Sequence, residues 1–124
     1  MVSLKQLLQQ AHAISLHVID SEATKHIINA KTLKLMRMGV IIVNTVDREA
    51  VNELDMVKAI KSGRIYGYAY EAEDLEHTPL AKLENAVGIK GFGWYTKEAL
   101  ERLAQIWVDN ISELVKGKPQ NVVN

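Results

Sequence analysis

Four consecutive β-branched residues, Val40-Ile41-Ile42-Val43, set the tightest limit on what this chain can fold into. Their side chains crowd the turn of a helix and pack well on a pleated strand. With no polar residue alternating among them, they read as a strand buried on both faces, which is the habit of a parallel sheet covered by helices. The flanking segments agree. Leu4, Leu7, Leu8 and Ala11 recur at helical spacing and predict a short helix over residues 3–11. A first strand is expected over residues 14–19. Ser21 is placed to cap a helix running to about Ile28, and a second helical piece carries Leu33, Leu35 and Met36 as far as Gly39.

After the β-branched run, Asn52 caps a helix containing Val57, Ala59 and Ile60, which Gly63 closes. Residues 65–70 predict a third strand, with Tyr66, Tyr68 and Tyr70 at strand spacing on one face. Thr78-Pro79 has the form of a helix start. Residues 86–89 predict a fourth strand, and Gly91-Phe92-Gly93 a turn. Thr96 caps the longest helix, whose apolar stripe runs through Leu100, Leu103, Ala104, Trp107, Val108, Ile111, Leu114 and Val115. Trp107 is expected in a core or an interface. Gly117 and Pro119 stop this helix, and residues 118–124 are expected to be a loose tail. The whole chain, 1–124, is read as one α/β domain with a parallel sheet of about four strands.

Composition narrows the function. Fifteen basic and fifteen acidic residues cancel, which removes the electrostatic case for nucleic acid or an anionic membrane surface. The same neutrality leaves copies of the chain free to associate. No cysteine is present, so thiolate catalysis, disulfides and cysteine metal sites are excluded. His12 and His26 lack ligand partners at metal spacing, and no metal site is expected. No apolar run approaches the roughly 20 residues of a membrane span, and the N-terminus carries no apolar signal segment. A cytoplasmic location is the expectation. A four-strand sheet has two open edges, and a homodimer is expected to cover them.

Several segments carry a resemblance. Ala13–Val18, Ile28-Asn29-Ala30, Leu33–Met36 and Val43-Asn44-Thr45 resemble, in order and spacing, the D-isomer-specific 2-hydroxyacid dehydrogenases. So do Val51-Asn52, Ala59–Ile65 and Tyr95–Arg102, while Gly117–Asn124 resembles the end of that family's nucleotide domain. The resemblance runs ungapped over essentially the whole chain. It implies the C-terminal half of an NAD-binding Rossmann domain, a partial sheet with flanking helices and a long C-terminal helix. NAD is the implied cofactor. The family's Gly-x-Gly-x-x-Gly turn, which seats the pyrophosphate on a helix N-terminus, has no counterpart in these 124 residues. Gly88, Gly91 and Gly93 lie close in sequence without spelling it.

The resemblance also assigns the site, position by position. The arginine that grips the substrate carboxylate falls on Asp47, a reversal of charge, and its glycine neighbour falls on Arg48. The general acid/base histidine falls on Gly91, which cannot transfer a proton, with Lys90 just before it. The carboxylate that supports that histidine falls on Glu76, which is retained. The aspartate facing the nicotinamide amide falls on Glu71. His17, Asn44, Thr45 and Gly93 are the remaining candidates for cofactor contact. The alternatives from residue chemistry are plainer. Glu76-His77 reads either as a proton-sharing pair or as a solvated loop, Asp47-Arg48-Glu49 as a solvated turn, and the tyrosines as packing or a stacking surface. Trp94 and Tyr95 are candidates to line a pocket.

Three functions follow as expectations: a truncated, noncatalytic, self-associating half-domain with weak or no NAD binding; an NAD-binding subunit of an oxidoreductase on 2-hydroxy or 2-oxo acids, completed by another chain; and a protein-interaction module.

Overall fold

A computed structural model gives the fold and describes residues 1–91, 93 and 95–123. The chain divides into two compact units, Met1–Lys90 and Gly91–Asn124. The first is an α/β unit: α1 (Leu4–Gln10), β1 (Ala13–Leu16), α2 (Ala30–Leu35), β2 (Val40–Asn44), a 3-10 turn (Arg48–Ala50), α3 (Glu53–Lys61), β3 (Ile65–Glu71) and β4 (Ala86–Ile89). The second contains α4 (Lys97–Val115). The strands lie in the order β1-β2-β3-β4, each parallel to its neighbour. This is the four-strand parallel α/β arrangement that the alternation of strand and helix predicts. None of the helices among the described residues is long and apolar enough to cross a membrane.

Capping explains where the helices start. The Ser3 side chain accepts from Gln6 N–H, and Gln6 reaches back to the Ser3 N–H. Asn29 accepts from Lys31 and Thr32 N–H, and Asp55 from α3 accepts from Ala30 N–H at 2.9 Å, tying α3 to the start of α2. Asn52 caps α3 and Thr96 caps α4. Gly63 sits at φ +72, the left-handed conformation that ends a helix at little cost only when no Cβ is present.

The core lies on one face of the sheet. Leu8, Leu33, Met56, Ala59 and Ile60 from the three helices pack with Ile14, Leu16, Val40, Ile42, Ile65, Tyr68 and Tyr70 from the strands. Here the structure corrects the expectation of two-sided burial. Val40 and Ile42 are sealed, but Ile41 on the opposite face is 42% exposed. The helices of this unit all serve the same face, so the β-branched run is covered on one side only.

Two predicted helices are absent. Around Ser21 the chain makes one turn, with Thr24 and Lys25 N–H both bonded to Ser21 O. His26 then enters the left-handed region (φ 49), and its N–H turns to Glu49 O. That diversion breaks the ladder before a costly helical nucleus can propagate. At Thr78-Pro79 the Thr78 hydroxyl accepts from Leu80 N–H as a cap would, yet only single turns form, with Leu80 drawn fully into the core. The first predicted strand also ends early, at Leu16.

The tyrosines are corrected too. The β2–β3 register shifts between Val40 and Ile41, which pair with Ile65 and Gly67. Tyr66 is the extra residue of this bulge and is exposed, while Tyr68 and Tyr70 are buried and stack with ring centroids 5.3 Å apart. Beside them, a Cβ on Gly88 would lie 2.8 Å from Leu75 Cδ2 and 2.9 Å from the Tyr70 hydroxyl. Gly88→Ala should therefore overpack the β3–β4 contact and destabilise by about 1–3 kcal/mol, read as a lower urea midpoint; an unchanged midpoint would show that this contact is loose.

Candidate functional site

Because all four strands are parallel, their C-terminal ends meet at one edge of the sheet, where ligands bind in open α/β folds. His17 follows β1 there, exposed, with Nε2 2.8 Å from Ser15 Oγ. Asn44 closes β2 and is wholly buried. Its Nδ2 donates to Asp47 O and to the Tyr68 hydroxyl, both at 3.3 Å, and its Oδ1 accepts from Val46 N–H. Thr45 is exposed, its hydroxyl reaching Leu16 O at 3.5 Å. Glu71 ends β3, half-buried on the face away from the core, and its side chain has no hydrogen-bond or salt-bridge partner among the described residues. Gly91 and Gly93 belong to the second unit. Trp94 and Phe92 lie outside the described residues.

Asp47, where the resemblance leads one to expect an arginine, has a local task. Its Oδ1 accepts from Glu49 N–H at 2.8 Å and caps the 3-10 turn. Its neighbour corrects the solvated-turn expectation. Arg48 Nε and Nη2 both bond Glu53 Oε1, at 2.8 and 2.7 Å, and Nη1 donates to Asp74 O at 3.0 Å. Glu53 Oε2 in turn accepts from the Thr78 hydroxyl. Arg48 and Glu53 are each mostly withdrawn from solvent, so this network joins the β2–α3 turn, the start of α3 and the loop after β3. An open concavity of about 550 Å³ lies beside it, lined by His26, Arg48, Glu49, Leu54 and Pro79 among others.

Glu76 and His77 are both exposed, as the solvated-loop reading has it, but they do not pair. His77 Nδ1 lies 3.0 Å from Asp74 Oδ2. The Asp74 carboxylate also accepts from His77 and Glu76 N–H, and these backbone bonds, His77's foremost, hold it below the usual aspartate range. The sequence reading missed Asp74, although an aspartate placed to accept from N–H groups two and three residues on is a turn signal. It also missed Glu53 and Thr78, which lie 25 residues apart and meet only in the folded chain. Among the described residues no three metal-ligating side chains cluster.

The D-isomer specific 2-hydroxyacid dehydrogenase, NAD binding domain, matches residues 1–90. The chain belongs to this family. A glycerate dehydrogenase of Methylorubrum extorquens is 36% identical over 99% of the chain and 41% of its own length. A glyoxylate reductase of Thermococcus litoralis is likewise 36% identical, over 99% of the chain and 38% of its own length. Among solved structures, a D-lactate dehydrogenase from Treponema pallidum superposes with a TM-score of 0.84 at 27% identity, covering 95% of this chain and 41% of that one. A D-lactate dehydrogenase from Aquifex aeolicus, complexed with NAD and lactic acid, gives 0.83 at 29%, covering 94% and 41%. This dehydrogenase-family chain thus spans about two-fifths of the length of the relatives it matches.

Two measurements check the site's geometry. Arg48→Met keeps the aliphatic stem but strips Glu53 and the Asp74 carbonyl of their donor; a loss of about 1–3 kcal/mol is expected, and no loss would mean the network contributes nothing to the fold. Burial pushes the Tyr68 phenol up to about 12 from 10.0, against the opposing hydrogen bond from Asn44. A raised folded pKa gives stability that is complete below pH 10 and lost as pH rises through about 12. The stability of Tyr68→Phe, followed by denaturant titration, should therefore fall less steeply than wild type across that window. Equal slopes would overturn the assignment.

Proposed function

We propose that this chain is a noncatalytic, self-associating half of a dinucleotide-binding fold, with weak or no affinity for NAD. The observation that carries the reading is the pair Asp47–Arg48. Where the family places a guanidinium for the substrate carboxylate, this chain has a carboxylate occupied in capping a turn. The neighbouring guanidinium is committed through three nitrogens to Glu53 and Asp74. Freeing it would leave the half-buried Glu53 without its ion partner. A 2-oxo acid at this edge would meet Asp47 and Glu71 and, among the described residues, no free guanidinium to grip it bidentately, Lys90 after β4 being a single point charge. Gly91 supplies no proton-transfer group at the family's histidine position.

The same edge is a poor seat for the cofactor. Asn44 spends its amide within the fold, and the carboxylates of Asp47 and Glu71 would oppose an anionic dinucleotide. NADH titration followed by the dinucleotide's own fluorescence, with a full-length glycerate dehydrogenase as positive control, should show no saturation below the millimolar range. Saturable binding at micromolar concentrations would overturn the weak-binding reading. Sedimentation should give a species of twice the 13.9 kDa chain mass, and a monomer at every concentration would overturn self-association.

A second reading rests on Glu71 and Glu76, retained acids whose carboxylates have no partner among the described residues. In it, another chain supplies the phosphate-binding half, and the assembly oxidises or reduces a 2-hydroxy or 2-oxo acid. Micromolar NADH binding that appears only on adding such a chain would favour it.

A further inference from the structure

Zero net charge holds for the whole chain and not for each face of it. α2 and the turn after it carry Lys31, Lys34 and Arg37, while α3 and the turn after it carry Lys58, Lys61 and Arg64. Asp55 is the one acid in residues 30–40 and 54–64, and Glu53, which opens α3, is taken by Arg48. Between the two helices lies a concavity of about 280 Å³, and Lys34, Lys58 and Arg64 stand around it. Leu33, Ala30 and Ala59 also line it, the two alanines leaving room that longer side chains would fill. None of its lining residues is a candidate for cofactor contact.

The groove is held at both ends of α2. At the start, Asp55 Oδ2 accepts from Ala30 N–H at 2.9 Å. At the close, Arg64 Nη1 donates to Met36 O at 3.1 Å. Its cations are not matched by acids. Asp55 is engaged with the Ala30 N–H, and Lys58 Nζ stands 4.0 Å from its other oxygen. Lys34 and Arg64 have no carboxylate partner among the described residues. A cation near a helix C-terminus is favoured by the dipole, which accounts for Lys34 on α2 and Lys58 on α3 singly. It gives no reason for both to border one concavity together with a guanidinium, where like charges repel.

We propose that the α2–α3 groove binds an anion bearing a phosphomonoester or diphosphate group. The bond to Met36 O orients the Arg64 fork, whose remaining nitrogens match two phosphate oxygens. Lys34 and Lys58 add a point charge from either helix. The volume lies at the small end for ligand sites and suits a phosphate group rather than a nucleic-acid strand. No aromatic side chain lines the groove, so bases would find nothing to stack on. A free phosphorylated metabolite and a lipid headgroup present the same chemistry, and the test separates them.

Calorimetric titration at fixed ionic strength uses inorganic pyrophosphate as one probe and phosphatidylcholine vesicles, with and without phosphatidic acid, as the other. Saturable sub-millimolar binding of pyrophosphate is expected for a free metabolite; binding of the phosphatidic acid vesicles alone supports the headgroup. Lys34→Gln and Lys58→Gln, both at exposed positions, should each weaken binding about tenfold and leave the circular dichroism unchanged. Lys25→Gln, which removes a lysine paired with Glu49 outside the groove, should leave binding unchanged. Binding to neither probe, binding indifferent to both groove lysines, a signal that sodium chloride reproduces, or retention of a single-stranded oligonucleotide in place of pyrophosphate overturns the proposal.

Discussion

Two of the three strand pairings in the α/β unit are made by β2. It bonds β1 on one side and β3 on the other, and its inward residues Val40, Ile42 and Asn44 are sealed at 1%, 0% and 0% exposure. Burying two β-branched side chains in the middle of a sheet contributes a few kcal/mol. It also fixes register, because a slip by one residue would carry the whole inward set to the other face. Asn44 is the polar exception in this row. Its amide is satisfied by Asp47 O, Tyr68 and Val46 N–H, so the strand's end is locked to the turn that follows.

That lock organises the chemistry of the C-terminal edge. The Asn44 contacts shape the turn in which Asp47 caps the backbone and Arg48 is turned toward Glu53. From there the network runs through Thr78 and Asp74 to the loop that bears Glu76 and His77. Arg48, Glu53, Thr78 and Asp74 are engaged with one another. A half-buried ion pair that loses one member leaves a charge uncompensated, so the network opposes its own opening. The family's architecture is kept, and Arg48 is bound within the scaffold.

Much of the fold was legible in the sequence. The β-branched run, the helical spacing of Leu4–Ala11 and the caps at Asn52 and Thr96 each act over three or four residues, and each found its place. The failures lie where a distant residue intervened. Ser21 has the chemistry of a cap, but its helix stops when His26 N–H is taken by Glu49 O. Thr78-Pro79 has the form of a helix start, and its hydroxyl accepts from Leu80 N–H, but Leu80 is drawn into the core and only single turns follow. Tyr66, Tyr68 and Tyr70 keep strand spacing in sequence and lose it in space, because the bulge inserts Tyr66. In the site, the charge reversal at Asp47 was visible at once, whereas the commitment of Arg48 was not.

By itself the sequence determined the class of fold and the order of its strands and helices, because periodicity, caps and residue identity are local properties of the chain. Only the tertiary structure decided that the helices of the first unit all pack on one face of the sheet, that Arg48 is bound within the scaffold and that Asp74, not Glu76, holds His77. Those outcomes depend on which remote backbone and side-chain groups meet once the strands are in register, and neighbouring residues alone do not specify such meetings.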